Sequence, residues 1–290
     1  FHNRAGVYYM ETGKNKEAEH SFNTALAFGL EKQGSQKTAE VNSNLGSLFL
    51  ALGEKDKAID GFFKALRLYE KNNSEVGMGE TYSNISSVYY LMGKVDDAIN
   101  YQKISIGIRE KLNDRAGLAI TNINIGQLYI LKELYPLALQ HLQNAVKYAE
   151  QLNNAKLMAS AYSGMSAYAS RTKDFPTALS WQTKAIKLFE ETGNKQMLSR
   201  LYVSAGNLAK ATKDSLTAIG FYDKALGISK EMGNKENIAN AYEKLSSFYV
   251  DSKNYEQAHD FYKKYILYRD SITARSALAK VEEIRTLYET

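Results

Sequence analysis

Small residues recur every forty positions along this chain: Gly6, Gly46, Ser86, Gly126, Ser166, Gly206 and Ser246. A second column, Ala18, Ala58, Ala98, Ala138, Ala178, Ala218 and Ala258, keeps the same step. Neither column slips by one residue. A fixed period of this size marks stacked copies of one supersecondary unit, each too small to bury its apolar face alone. Such stacks act through extended surfaces and seldom through catalytic clefts.

The residues of one copy show what the unit is. In residues 36–75, Leu45 follows Val41 by four positions, and Leu48 and Phe49 follow Leu45 by three and four, which places all of them on one helical face. Gly53 marks a turn, and Ala58, Ile59, Phe62, Phe63, Leu66 and Tyr69 give a second amphipathic helix. The unit is a helix pair, and its small columns remove side-chain bulk where helices cross. Large rings flank the crossings. One second-helix column reads Tyr101, His141, Trp181, Phe221 and Phe261; a first-helix column reads Phe49, Tyr89, Tyr129 and Tyr249. Where the latter shrinks to Ala169 and Ala209, Tyr162 and Tyr202 stand two turns earlier, a partial exchange of volume that suits tight packing. Both columns are expected in the core.

The joints repeat as well. Inside the pairs, the turn column reads Gly13, Gly53, Gly93, Glu133, Lys173, Lys213 and Lys253; between pairs, it reads Asn73, Asn113, Asn153, Gly193 and Gly233. Gly and Asn best tolerate the left-handed conformation that ends a helix. Pro136 and Pro176 fall near the starts of second helices, where a missing N–H costs little.

Composition then excludes function classes. With no cysteine there is no disulfide, thiolate metal site or cysteine nucleophile, and the compartment stays open. The net charge of +5 is spread over 290 residues without a run of basic side chains, so direct nucleic-acid binding has no support. No apolar run approaches the ~18 residues of a membrane span, so no membrane contact is expected within this chain. His2, His20, His141 and His259 never reach i,i+4 spacing, no zinc-hydrolase motif occurs, and no Gly-rich phosphate loop is present. Asp56, Asp96 and Asp97 fall at helix starts, where carboxylates cap or favour the dipole. The expectation is a non-enzyme with no catalytic residue, metal or cofactor.

The columns resemble tetratricopeptide repeats. Leu45-Gly46, Phe49, Ala58, Phe62 and Ala65 follow that pattern, as do Ile125-Gly126, Tyr129, Ala138, Leu142 and Ala145. The period of forty exceeds the family's common 34, and the usual closing Pro is absent. The resemblance implies an all-α, right-handed superhelical solenoid of seven helix pairs over residues 1–275. Beyond it, Ser276 to Thr290 carries Ala277, Val281, Ile284 and Tyr288 on one stripe, expected to form a C-terminal capping or connector helix. Tyr268 to Ile272 and the charged helix after it also resemble the tail of the repeat region in bacterial sensor proteins. That likeness implies an output domain beyond residue 290. It favours an extracytoplasmic part of a membrane-anchored sensor over a cytoplasmic location. The start on Phe1 inside a repeat reads as a piece of a longer protein.

The resemblance places the first helices along a concave groove. Asn44, Asn84 and Asn124 form one column there, with the donor and acceptor that an extended backbone needs. Neighbouring positions add Glu40, Glu80, Ser47, Ser87, Gln127, Arg200, Asn207 and Lys244, acidic early and basic late. The same asparagines could instead satisfy one another across the stack, and both readings stand at this point. The family's carboxylate clamp is not supported, because Glu40 and Glu80 occupy positions where it would want Lys. The expected function is a non-catalytic module that binds a protein or peptide segment, the sensory or interaction region of a larger bacterial signalling protein. The alternative is a structural assembly scaffold without a peptide ligand.

Overall fold

The computed structural model describes the backbone of residues 1–28 and 35–288 and the side chains of residues 1–28 and 35–274. Fourteen helices make up most of the described residues, and no strand occurs among them. The helices group into two compact units, Phe1–Asn153 and Asn154–Thr290.

In the first unit, α1 (His2–Glu11) pairs with α2 (Asn15–Phe28), α3 (Gln36–Ala51) with α4 (Lys55–Lys71), α5 (Glu75–Leu91) with α6 (Val95–Lys111), and α7 (Arg115–Leu131) with α8 (Tyr135–Gln151). In the second, α9 (Ala155–Arg171) pairs with α10 (Phe175–Thr192), α11 (Lys195–Ala211) with α12 (Ser215–Glu231), and α13 (Lys235–Asp251) with α14 (Tyr255–Tyr288).

The joints explain this punctuation. Every residue of the two turn columns takes a positive φ, from Gly53 at 79° to Asn153 at 47°, and Glu133, Lys173, Lys213 and Lys253 do so without being Gly or Asn. At α3, the Gly53 N–H reaches the Leu50 carbonyl and the Glu54 N–H reaches that of Phe49, so the last carbonyls are satisfied by the chain leaving the helix. The next residue often opens the following helix. Asp174 donates its N–H to the Ala169 carbonyl and accepts the Thr177 N–H on its side chain. Asp114, Asn154, Asn194, Asp214 and Asn234 also accept the N–H three residues on.

The same rule accounts for an unexpected continuation. The helix expected over 276–290 is not a separate element, because α14 runs unbroken from Tyr255 to Tyr288. The joint columns arrive there at Thr273 and Ala274. A β-branched residue resists the left-handed conformation, and Ala offers no capping acceptor. Thr273 instead donates its hydroxyl to the Arg269 carbonyl inside the helix. The stripe of Ala277, Val281, Ile284 and Tyr288 lies outside the residues whose side chains are described.

The small columns do what their spacing predicts. All seven Ala-column residues are buried. Opposite the Gly column stands a buried second-helix residue sixteen positions on: Phe22, Phe62, Leu142 and Tyr222. A Cβ on Gly6, Gly46, Gly126 or Gly206 would fall 2.4–2.8 Å from that side chain. Where the column carries Ser instead, its hydroxyl donates to an Ala-column carbonyl, Ser86 to Ala98 at 2.7 Å, Ser166 to Ala178 at 2.8 Å and Ser246 to Ala258 at 2.9 Å. At Ser86 and Ser166 the sixteen-on residue becomes Gln102 or Gln182, both buried.

The second-helix ring column departs from expectation. Tyr101, His141, Trp181, Phe221 and Phe261 are half-buried; after the first four, the buried column sits one residue later at Gln102, Leu142, Gln182 and Tyr222, whereas Tyr262 is exposed. The half-buried rings pack instead on first-helix rings: Tyr101 stacks on Tyr89 and Tyr82 and Phe261 on Tyr249, while Trp181 on Tyr162, Phe221 on Tyr202 and Phe261 on Tyr242 are tilted contacts. Lysines cover some of their outer faces, Lys184 Nζ lying 4.3 Å from the Trp181 ring centre and Lys264 Nζ 5.1 Å from that of Phe261.

Candidate functional site

The exposed stripe of each first helix carries the residues singled out from sequence, and the structure sorts them. Glu40, Glu80, Gln127, Arg200 and Asn207 are exposed; Asn44, Asn84, Asn124, Ser47, Ser87 and Lys244 are half-buried. Several are engaged within the protein. Asn44 donates its amide to Asn3 Oδ1 at 2.9 Å, linking α3 to α1, which is the stacking role. Ser47 and Ser87 donate to carbonyls one turn back, at Ser43 and Ser83. Asn207 accepts the Tyr222 hydroxyl at 2.8 Å, and Lys244 pairs with its neighbour Glu243. Asn84 and Asn124 have no side-chain partner among the described residues.

Glu80, Asn84, Ser87 and Asn124 line one cleft of about 370 Å³, bounded by α5, α6 and α7. The amides of Asn84 and Asn124 therefore share a cavity, forty residues apart in sequence but on adjacent first helices. Glu40 lines a different recess with Asn3, Arg4 and Thr38. Arg200 lines a cleft of about 410 Å³ in the second unit. Gln127, Asn207 and Lys244 line neither of these two clefts.

A buried polar network, not anticipated from sequence, forms the floor of the first cleft. Ser83 Oγ meets Ser105 Oγ at 3.0 Å and donates to Gln102 Oε1 at 3.2 Å. Ser105 donates to the Gly79 carbonyl and accepts from Arg109 Nε. Arg109, 6% exposed, sends Nη1 to Asp114 Oδ2 at 3.0 Å, while Asp114 Oδ1 holds the Gly117 N–H at 2.9 Å. Arg109 Nη2 has no protein acceptor among the described residues, yet no side-chain nitrogen or oxygen there is both buried and unpartnered. That edge of the guanidinium therefore opens to the cleft. Gly117 makes the room, since a Cβ there would lie 1.5 Å from Nη1. The sequence signal was available in hindsight. Gly77 and Gly117 stand forty apart in first turns, facing Tyr69 and Arg109, themselves forty apart.

Charge differs between the two clefts. The first holds Glu80, Asp114 and Arg109, the second Arg171 and Arg200 with no acid. Near the first, burial pushes the Tyr69 phenol up to about 12, and the charges of Glu40 and Glu80 add to that shift. His141 Nδ1 lies 2.8 Å from Asn122 Oδ1 and its ring stacks on Tyr129; burial, then the charge of Lys103, holds its pKa below the usual imidazole value. It is a packing residue. Among the described residues no three His, Cys, Asp or Glu side chains group to hold a metal, and no helix is long and apolar enough to cross a membrane. Asp56, Asp96 and Asp97 occupy first turns of α4 and α6, and Asp96 pairs with Lys132 at 2.9 Å.

Successive helix pairs with close small-residue crossings and a polar stripe along the first helices define a helical-repeat protein. The tetratricopeptide repeat model matches residues 1–71, 77–151 and 117–191, and the chain belongs to that family. No curated protein sequence matches it. Solved structures share the fold. The apo form of RapI superposes with a TM-score of 0.69 at 14% identity, over 94% of this chain and 98% of that one. A Rap protein complexed with competence and sporulation factor gives 0.66 at 17%, over 89% and 82%. A signal-transduction ATPase with numerous domains and a tetratricopeptide repeat sensor, from Pyrococcus horikoshii, gives 0.72 at 16% identity; the match spans 98% of this chain and 43% of that protein.

Proposed function

We propose that this chain is a non-catalytic module that captures a protein or peptide segment along its first helices, and that it serves as the sensory or interaction region of a larger signalling protein. The observation that carries the reading is the first cleft. Two unpartnered asparagine amides and the free edge of Arg109 converge there on a rigid floor, with Glu80 at the rim. Side-chain amides suit an extended backbone, which offers alternating donors and acceptors. The floor is already hydrogen-bonded, so little ordering is needed on binding. The sensor part of the reading draws support from the repeat sensor of the Pyrococcus horikoshii protein and from the Rap complex, both of the same fold.

Affinity capture from a lysate of the source organism, followed by quantitative mass spectrometry, tests it. Wild-type chain should retain partners that Asn84→Ala/Asn124→Ala loses. Equal recovery by both removes the cleft from the interaction.

A further inference from the structure

The outer face of α14 is open where the matching face of earlier second helices is closed. We infer that this face is an interface with a second copy of the chain, each copy laying residues 276–288 of its own α14 across the other's. The result is a two-fold dimer that exchanges the end of its last helix. Neither cleft takes part in it.

Within each unit, a second helix packs against the first helix that follows it: α2 on α3, α4 on α5, α6 on α7, α10 on α11 and α12 on α13. Phe62 and Leu66 share a core with Ile85 and Val88, and Tyr222 and Leu226 share one with Ala241, Leu245 and Phe248. Phe22, Phe62, Gln102, Gln182 and Tyr222, one column at these five junctions, are 3% exposed or less. Tyr262 stands in the same column on α14 and is 51% exposed. Arg269 is exposed too, where Tyr69, Arg109, Phe189 and Ser229 of its column are buried.

The covering pattern exists in the chain but out of reach of its own face. Leu278, Ala279, Val281, Thr286 and Tyr288 repeat, forty residues on, the buried columns of Ile238, Ala239, Ala241, Ser246 and Phe248 in α13. Because α14 is unbroken from Tyr255 to Tyr288, that stretch runs away from Tyr262 and cannot fold back over it. Exchange between copies supplies the cover without a bend, the usual low-cost route to a dimer when a hinge no longer turns. The register carries over. Tyr222 and Leu245 lie equally far from the Gly233–Asn234 joint, as do Leu226 and Ala241, and all four share one core. Forty residues on, Tyr262 comes opposite the partner's Arg285 and Ile266 opposite the partner's Val281, about a two-fold axis between Thr273 and Ala274. Arg285 replaces the leucine of its column, a cation that suits a tyrosine ring left in water. The same register brings the basic pair Lys263 and Lys264 alongside the acidic pair Glu282 and Glu283. Thr273, Ala274, Ser276 and Ala277 keep bulk away from the axis, where the two helices come closest.

Size-exclusion chromatography with light scattering on the full 290-residue chain should give a dimer at about 100 μM. Tyr262→Glu should weaken the dimer about tenfold or more, as expected for a central aromatic residue. Thr273→Gly/Ala274→Asn restores the joint found at Gly233 and Asn234, lets the segment fold back on its own helix, and should give a folded monomer. Circular dichroism checks that both variants keep their helix content. Because the chain has no cysteine, Ile266→Cys/Val281→Cys identifies the occupant. Mild oxidation should link two copies covalently, and reduction should part them. A wild-type monomer at that concentration, an unchanged dimer in either of the first two variants, a disulfide closed within one copy, or no disulfide at all overturns the interface.

Discussion

The Cβ that Gly206 lacks would lie 2.4 Å from Cε1 of Tyr222. Tyr222 is 1% exposed and its hydroxyl reaches Asn207, so the ring is held from both ends and cannot swing aside. Gly206→Ala should therefore destabilise by about 1–3 kcal/mol, the usual cost of overpacking. The Ser86 and Gln102 arrangement supplies a rescue. Gly206→Ser/Tyr222→Gln should lose less stability in urea unfolding than Gly206→Ser alone. Additive losses would show that the two columns are not coupled.

Glu133, Lys173, Lys213 and Lys253 hold left-handed backbone at φ of 57° to 65° where the early repeats use glycine. A side chain in that conformation costs roughly 1–2 kcal/mol, offset in part by the greater unfolded-state freedom of Gly. Each change to Gly should raise stability by about 0.5–1 kcal/mol, and Gly53→Ala should lower it by a similar amount. Chemical denaturation midpoints decide this; loss of stability on Lys173→Gly would contradict it.

His141 makes stability depend on pH. Its folded-state pKa is lowered by burial, so the unfolded chain binds the proton more readily. The contribution is present above the usual imidazole value of about 6.5 and is lost as pH falls towards the folded value. His141→Phe keeps a ring beside Tyr129 and should flatten that part of the profile. An unchanged acid-side slope in the variant would assign the dependence elsewhere.

At alkaline pH the sign reverses. Burial pushes Tyr222 up to about 12, with the charge of Asp251 adding to the shift. Stability from this group is full below the ordinary phenol value of about 10 and is lost as pH rises through the folded value. Tyr222→Phe should show a shallower alkaline fall in thermal midpoint, at the cost of the hydrogen bond to Asn207.

Arg109 and Asp114 link the cleft floor to the start of α7. Arg109→Met should destabilise by about 2–3 kcal/mol, because it strips the polar floor of a buried charged donor. Gly117→Ala should be harmful in the wild type and less harmful beside Arg109→Ala, since its Cβ would meet Arg109 Nη1 at 1.5 Å as well as Asp114 Oδ2 at 2.0 Å. A double-mutant cycle in urea reports the coupling, and strict additivity would refute the contact.

The forty-residue step was enough to set helix pairs, small crossings and joints, because those depend on local rules: apolar spacing, missing bulk at Gly and Ala, and left-handed tolerance at Gly and Asn. The unbroken α14 was not anticipated, although both joint columns change there, at Thr273 and Ala274. The shared column of Asn44, Asn84 and Asn124 on successive first helices was also legible from period alone. What the period could not give was which of these amides is already used, since Asn44 and Asn3 meet only when α1 and α3 lie side by side. It could not place the ring column either, because one residue of helical rotation, about 100°, separates Phe221 at the half-buried edge from Tyr222 in the core. Arg109, near the end of α6, was not singled out by the period. Only packing against Gly117 and Asp114 buried it and turned its free edge into the cleft.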